Sequence, residues 1–194
     1  MSLPPITLTG ARVALVPLAW EHLAAALAVA VPSDIFHWWP RDIRTPADLR
    51  ASFEEAFAAR DGGTALPFST FDRASDQLVG GTRYMAVDLR NRRLEIGGTW
   101  VARPWQRTYV NTEAKLLMLE HAFETLGCLR VEFKTDALNT ASRAALDRLG
   151  AQQEGVFRKH MVTSAARVRD TVYFSIVDDE WPDVKARLLA KLAR

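Results

Sequence analysis

The stretch WVARPWQRTYVNTEAK, residues 100–115, decides how the rest of the chain is read. It follows residues 92–101, whose pattern is that of a strand, and it runs into a segment of different period. From Thr112 onward Ala114, Leu117, Met118, His121 and Ala122 recur at three and four residues until Gly127, which predicts a helix closed by glycine. A turn that enters a helix directly from a strand gathers unpaired backbone N–H groups at the positive end of a helix dipole. An anion is the natural occupant of such a turn.

Toward the C-terminus, residues 129–135 read as a buried strand, so residues 100–135 form a strand, loop, helix and strand. A crossover of that length permits parallel pairing. Residues 139–149 then predict a short helix closed by Gly150, residues 156–162 and 168–177 a hairpin, and residues 178–194 a final helix with Trp181, Val184, Leu188 and Leu192 inward. Toward the N-terminus, residues 65–71, 77–87 and 92–101 are strands separated by polar turns, an antiparallel meander. Ahead of them come a strand at 12–18, a helix at 20–31 and a loop carrying Phe36, Trp38 and Trp39. Thr45 caps a further helix with Pro46 at its first position and Leu49, Phe53 and Phe57 on one face, stopped at Gly62 and Gly63. The expectation is an α/β (α+β) fold: one domain over residues 1–194, built on a mixed, mostly antiparallel twisted sheet of about seven strands with helices on both faces.

Bulk properties narrow the function. The 194 residues are 48% apolar and 25% charged, an ordinary globular composition with no sign of disorder. A net charge of +2 is too balanced for nucleic-acid binding by bulk electrostatics. The longest apolar stretch, residues 23–32, is about half the roughly 20 residues of a membrane-spanning helix, and no basic and apolar leader opens the chain. Cys128 is the lone cysteine, which excludes an intrachain disulfide and fits a reducing compartment. No metal site is expected, and the expected location is cytoplasmic.

Residues 106–112 resemble motif A of the GNAT N-acetyltransferases, where a Gln/Arg-x-x-Gly-x-Gly/Ala loop wraps the pyrophosphate of coenzyme A. Gln106 falls on the first position, whereas Tyr109 and Asn111 stand where the family has small residues. Further segments match in order: LEIGGTW at 94–100, VEFKT at 131–135 with NTASRAALDRLG at 139–150, and EGVFR at 154–158 with Arg169-Asp170 and Phe174-Ser175. The order and spacing are similar to the ribosomal-protein (RimJ/RimL-type) branch, across residues 8–181.

That resemblance implies a central pair of splayed strands with the pantetheine arm in the gap, and acetyl-CoA as co-substrate. It places Gln106, Arg107, Thr108, Tyr109, Val110, Asn111 and Thr112 around the pyrophosphate, with Trp100, Val101, Asn139 and Ser142 along the pantetheine and thioester. Acetyl transfer needs a neutral amine, donors for an oxyanion and a proton for the departing thiolate. Glu95 matches a position where relatives often carry a carboxylate, directly or through water a base for the amine; otherwise it is a solvated or paired strand residue. Leu146 occupies the place of the tyrosine proton donor found in many relatives, and Ser142 is the branch's substitute or else an ordinary first-turn serine. Asn139 is expected to cap its helix. Phe36, Trp38 and Trp39 lie where the family lines its acceptor pocket, or pack beneath the loop. His121 and His160 read as structural, and Cys128 sits away from the site, against a covalent route.

The acceptor is a primary amine, on a protein N-terminus or a small molecule, and the sequence does not choose between them. A non-catalytic acyl-CoA sensor with the same fold is the alternative. No nucleic-acid or membrane partner is expected. The edge offered by the last hairpin allows a homodimer.

Overall fold

The computed structural model describes residues 3–31 and 33–193. Arg194 of the expected terminal helix and Pro32 of the apolar run fall outside the described residues. The elements are β1 (Leu8–Thr9), β2 (Val13–Pro17), α1 (Leu23–Ala30), α2 (Pro46–Asp61), β3 (Ala65–Asp72), β4 (Gln77–Asp88), β5 (Arg93–Val101), α3 (Tyr109–Glu120), β6 (Arg130–Asp136), α4 (Thr140–Leu149), β7 (Gln152–Val162), β8 (Val168–Val177) and α5 (Trp181–Leu192).

The strands form one sheet in the order β1-β2-β3-β4-β5-β6-β8-β7. Every neighbouring pair is antiparallel except β5 and β6, which the α3 crossover makes parallel. The expected mixed sheet is therefore present, with eight strands where about seven were anticipated. The extra one is β1, whose two residues are too short to leave a periodic signal.

Side chains of β4, whose pairing with β3 shifts register at Val79, divide between two interior layers. Val79 and Tyr84 join the cluster beneath α3 and α5, with Met118, Leu119, Phe133, Phe174 and Leu188. Leu78 joins a second cluster on the opposite face, with Ala26 of α1 and Leu49, Phe53 and Phe57 of α2. Helices thus cover both faces, as the period change predicted. Tyr84 ties α3 to the sheet by donating its hydroxyl to the Met118 carbonyl at 2.6 Å. The C-terminal helix docks by stacking Trp181 on Phe123, ring centroids 5.4 Å apart.

Three boundaries differ from the sequence reading. The helix expected over 20–31 begins as a single 3-10 turn, Trp20–His22, before α1. The helix expected from Thr112 starts at Tyr109, because the Thr108 hydroxyl caps it by accepting from the Val110 N–H at 3.3 Å; it ends in a π-helical turn over His121–Thr125. The first strand of the last hairpin begins at Gln152, and its residues are largely exposed, so burial leaves little alternation there to read. The predicted caps hold: Thr45 accepts from the Asp48 N–H at 3.2 Å, and Gly150 closes α4 at φ +105°.

Candidate active site

Strands β5 and β6 pair over only three residues each: Arg93 with Arg130, Leu94 with Val131, and Glu95 with Glu132. Beyond Glu95 they part, β5 staying with β4 through Val101 while β6 stays with β8. The parting opens a cavity of about 580 Å³ that reaches both faces of the sheet. On the α3 face its walls are Asn111, Thr112 and Lys115 of α3 with Asn139, Ser142 and Leu146 around α4. On the opposite face they are Trp38, Trp39, Arg83, Glu95, Lys134 and Arg169. Directly opposed antiparallel residues share a face, which puts Met85 beside Glu95, and Arg83 beside Gly97, on the side away from α3.

The divergence is marked by a bulge in β5. Gly98 takes φ +54°, a conformation that disfavours any side chain, and a Cβ there would lie 2.7 Å from Arg83 Nε. A Cβ on neighbouring Gly97 would lie 2.6 Å from Met85 Sδ and 3.1 Å from Glu95 Oε1. The two glycines thus let Arg83, Met85 and Glu95 crowd onto one bare length of backbone facing the gap.

The cavity brings together Glu95, Asn111, Thr112, Asn139, Ser142, Trp38 and Trp39 of the residues predicted from sequence. Glu95 is 5% exposed, and its Oε2 is 2.8 Å from Lys134 Nζ. Burial pushes the Lys134 amine down, but the hydrogen bond and charge of Glu95 outweigh it and leave the pKa above the ordinary value. Asn139 Oδ1 accepts from the Ser142 N–H at 3.0 Å, the predicted cap. Leu146 lies in the wall, leaving no tyrosine hydroxyl at that place.

Other predicted residues stand at the margins. Gln106, Arg107 and Thr108 are exposed ahead of α3, Arg107 with φ +63°. Gln106 Nε2 donates to the Val101 carbonyl at 3.0 Å, so that acceptor is engaged. Trp100 and Phe36 meet edge to face at 5.8 Å in a smaller adjoining pocket. The β5 residues that line the main cavity are 95–99, just before Trp100 and Val101. Val110 is buried in the core. The Tyr109 side chain turns away from the cavity: its hydroxyl bonds the Asp72 carboxylate and Arg12 lies 4.3 Å above its ring. The bulky residue in the motif A loop therefore leaves the first turn of α3 open. His160 borders the cavity, where a purely structural histidine was expected.

An acetyltransferase (GNAT) domain model matches residues 12–152. The chain belongs to the GNAT acetyltransferase family. A GCN5-related N-acetyltransferase from Brucella melitensis superposes with TM-score 0.89 at 31% identity, over 98% of this chain and 86% of that one. Mycobacterium smegmatis RimJ, solved in complex with CoA-disulfide, gives 0.82 at 25% identity, over 96% and 95%. A Bacillus subtilis protein named as a ribosomal N-acetyltransferase, YdaF, is 32% identical over 99 residues, 51% of this chain. The alignment spans 53% to 66% of the length of YdaF and two further curated Bacillus relatives. These likenesses bear out the RimJ/RimL-type branch read from the motifs.

Within this GNAT domain, sequence reasoning gave no site role to Lys115, Arg83 or Arg169, although Arg169-Asp170 was among the matching segments. Lys115 is 5% exposed and has no carboxylate partner among the described residues; Nζ donates to Thr99 Oγ1 at 2.7 Å and Thr82 Oγ1 at 3.3 Å. Burial alone pushes its pKa down to about 7. One signal was available: Ala114, Leu116, Met118 and Leu119 are apolar around it, so α3 has almost no exposed face for an ammonium group. Arg83 carried no such signal, since alternating strands hold arginines on solvent faces as readily, and the match at Arg169-Asp170 did not say which way its side chain faces. Cys128 is buried outside the cavity, and burial raises its thiol pKa. Among the described residues no group of three His, Cys, Asp or Glu could hold a metal, and no helix is long and apolar enough to cross a membrane.

Proposed function

We propose that this chain, acting as a single domain, transfers an acetyl group from acetyl-CoA to a primary amine by direct attack in a ternary complex. One observation carries the reading: β5 and β6 separate immediately after Glu95, beneath a helix N-terminus that opens onto the same cavity. The residues fit the coenzyme. The first turn of α3 supplies N–H donors without intrahelical acceptors, the positive dipole end and the polar side chains of Asn111 and Thr112, all suited to a pyrophosphate. The unpaired length of β5 offers backbone to an extended arm, in the manner of an added strand. When bound, acetyl-CoA supplies the activated acyl group.

The chain's own residues then do the rest. Trp38 and Trp39 exclude water from the acceptor mouth, which favours the neutral amine. Glu95, held by Lys134, takes the proton the amine loses as its nitrogen bonds the acetyl carbon. Ser142, whose backbone is fixed by Asn139, gives a proton to the sulfur as the carbon–sulfur bond breaks. Cys128 has no access to the cavity, which supports transfer without an acyl-enzyme.

A thermal-shift titration with acetyl-CoA, followed by thiol release over a panel of amines and N-terminal peptides, tests the reading. A shift together with turnover on at least one amine is expected. No shift rejects coenzyme binding, and a shift without turnover on any amine favours the sensor.

A further inference from the structure

The acceptor mouth holds more positive charge than its carboxylates neutralise. Two acids face it, and both are engaged: Glu95 by Lys134 at 2.8 Å, and Asp136 by a short ion pair to Arg167. Arg169 is 6% exposed, and its Nε stands 3.8 Å from Asp136 Oδ2, beyond hydrogen-bond reach. That Nε is paired with Asp136 by charge alone and, like Nε of Arg83, is buried without a hydrogen-bond partner. No ion pair joins Arg83 to a carboxylate among the described residues; Glu95 and Glu55 act on it only through space. Burial lowers the pKa of both guanidinium groups, the mark of cations short of compensation.

Two guanidinium groups on the wall of one cavity, Arg169 buried and Arg83 half-buried, each with a buried Nε that donates no hydrogen bond, are costly unless something pairs with them. The phosphates of the coenzyme are not the natural partner. The helix N-terminus that suits them lies on the α3 face, whereas Arg83 sits opposite Gly97 on the other face. Arg169 follows the alternation of Thr171 and Tyr173, which oppose Asp136 and Lys134 on that same far side.

We infer that Arg83 and Arg169 form an anion subsite in the acceptor mouth, so that the preferred acceptor is an amine bearing a carboxylate. The inference rests on the acetyl-transfer reading above and narrows its substrate class. A guanidinium presents its donors in a planar fork that matches a carboxylate. Trp38 and Trp39 form the apolar part of the same wall, which strengthens such a pairing by excluding water. Polyamines and aminoglycosides, being polycations, are disfavoured there. The carboxylate comes either from a free amino acid or from an acidic side chain near a peptide N-terminus.

The test compares matched acceptors that differ only in that group: L-serine with L-serinamide, and the peptide Ser-Asp-Ala-Ala-amide with Ser-Asn-Ala-Ala-amide, with spermidine as the cationic control. Thiol release is expected to give kcat/KM at least about 10-fold higher for the acid in at least one pair. A preference in the serine pair assigns the carboxylate to the amino acid itself, and one confined to the peptide pair assigns it to the side chain. Arg83→Met should bring that ratio to within about 2-fold while acetyl-CoA affinity stays the same, and Arg83→Lys should restore part of it. Amides or spermidine performing as well as the acids overturns the subsite, as does a ratio untouched by Arg83→Met. Calorimetry of the same acceptors on the CoA-loaded protein separates the two claims. If nothing is turned over, the acetyl-transfer reading fails alone when the acids still bind more tightly than their amides, and both fail when they do not.

Discussion

Replacing Lys115 by Met should change how stability depends on pH. The amine is buried and bonded to two threonine hydroxyls without a counter-charge, and its pKa falls from 10.5 to about 7. Below pH 7 the folded and the unfolded chain both hold the proton, and the full cost of burying the cation stands. Between pH 7 and 10.5 only the unfolded chain binds it strongly, so stability rises with pH across that window and levels off above it. At about 1.4 kcal/mol per pH unit, the gap between 10.5 and about 7 corresponds to roughly 5 kcal/mol at the acid end. From pH 7 to 9 the recovery is about 2 kcal/mol.

Met keeps much of the length of the side chain without the charge, and Thr82 and Thr99 still bond each other at 2.8 Å, so neither hydroxyl is orphaned. Lys115→Met is expected to be the more stable protein at pH 7, with an advantage that shrinks by about 2 kcal/mol at pH 9. Urea unfolding followed by tryptophan fluorescence at pH 6, 7, 8 and 9 measures the difference. Parallel curves for the two proteins across that range would refute the buried neutral amine.

Four further outcomes follow from the site. Glu95→Gln should lower kcat by about 100-fold at pH 7, with the deficit narrowing above pH 9 as the acceptor amine deprotonates unaided; a deficit that is the same at both pH values counts against a base. Ser142→Ala should reduce turnover while acetyl-CoA affinity from calorimetry holds, and an unchanged rate removes Ser142 from proton donation. Asn139→Ala removes the cap of α4 and should cost about 1 kcal/mol in denaturant unfolding; no loss would show that the cap contributes little. Gly98→Ala forces a Cβ into φ +54° and within 2.7 Å of Arg83 Nε, so it should cost about 1 to 2 kcal/mol, seen as a lower melting temperature, and a neutral result would mean the bulge relaxes freely.

The fold was largely legible because its signals are local. Thr45-Pro46 at the start of α2, Asn139 and Gly150 at the ends of α4, and the switch of period at 65–101 each act through neighbours a few residues away. Where the reading slipped, the local signal was weak. Thr108 begins α3 through a hydroxyl that has Val110 two residues ahead as partner, and Tyr109, large enough to seem an obstruction, is drawn aside by Asp72, 37 residues earlier.

The sequence by itself indicated a helix N-terminus after residues 100–108, and the ordered resemblance of segments across residues 8–181 indicated the family and put forward the candidate roles of Glu95, Asn139 and Ser142. Tertiary structure alone decided how far β5 follows β6 before leaving it, and which charges meet across the opening. Arg83, Lys134, Asp136 and Arg169 stand on β4, β6 and β8 and at distant positions in sequence, and only the register of the pairing puts them on one face. Whether each charge is costly or satisfied depends on those partners and on burial, and neither quantity is a property of a residue's neighbours along the chain.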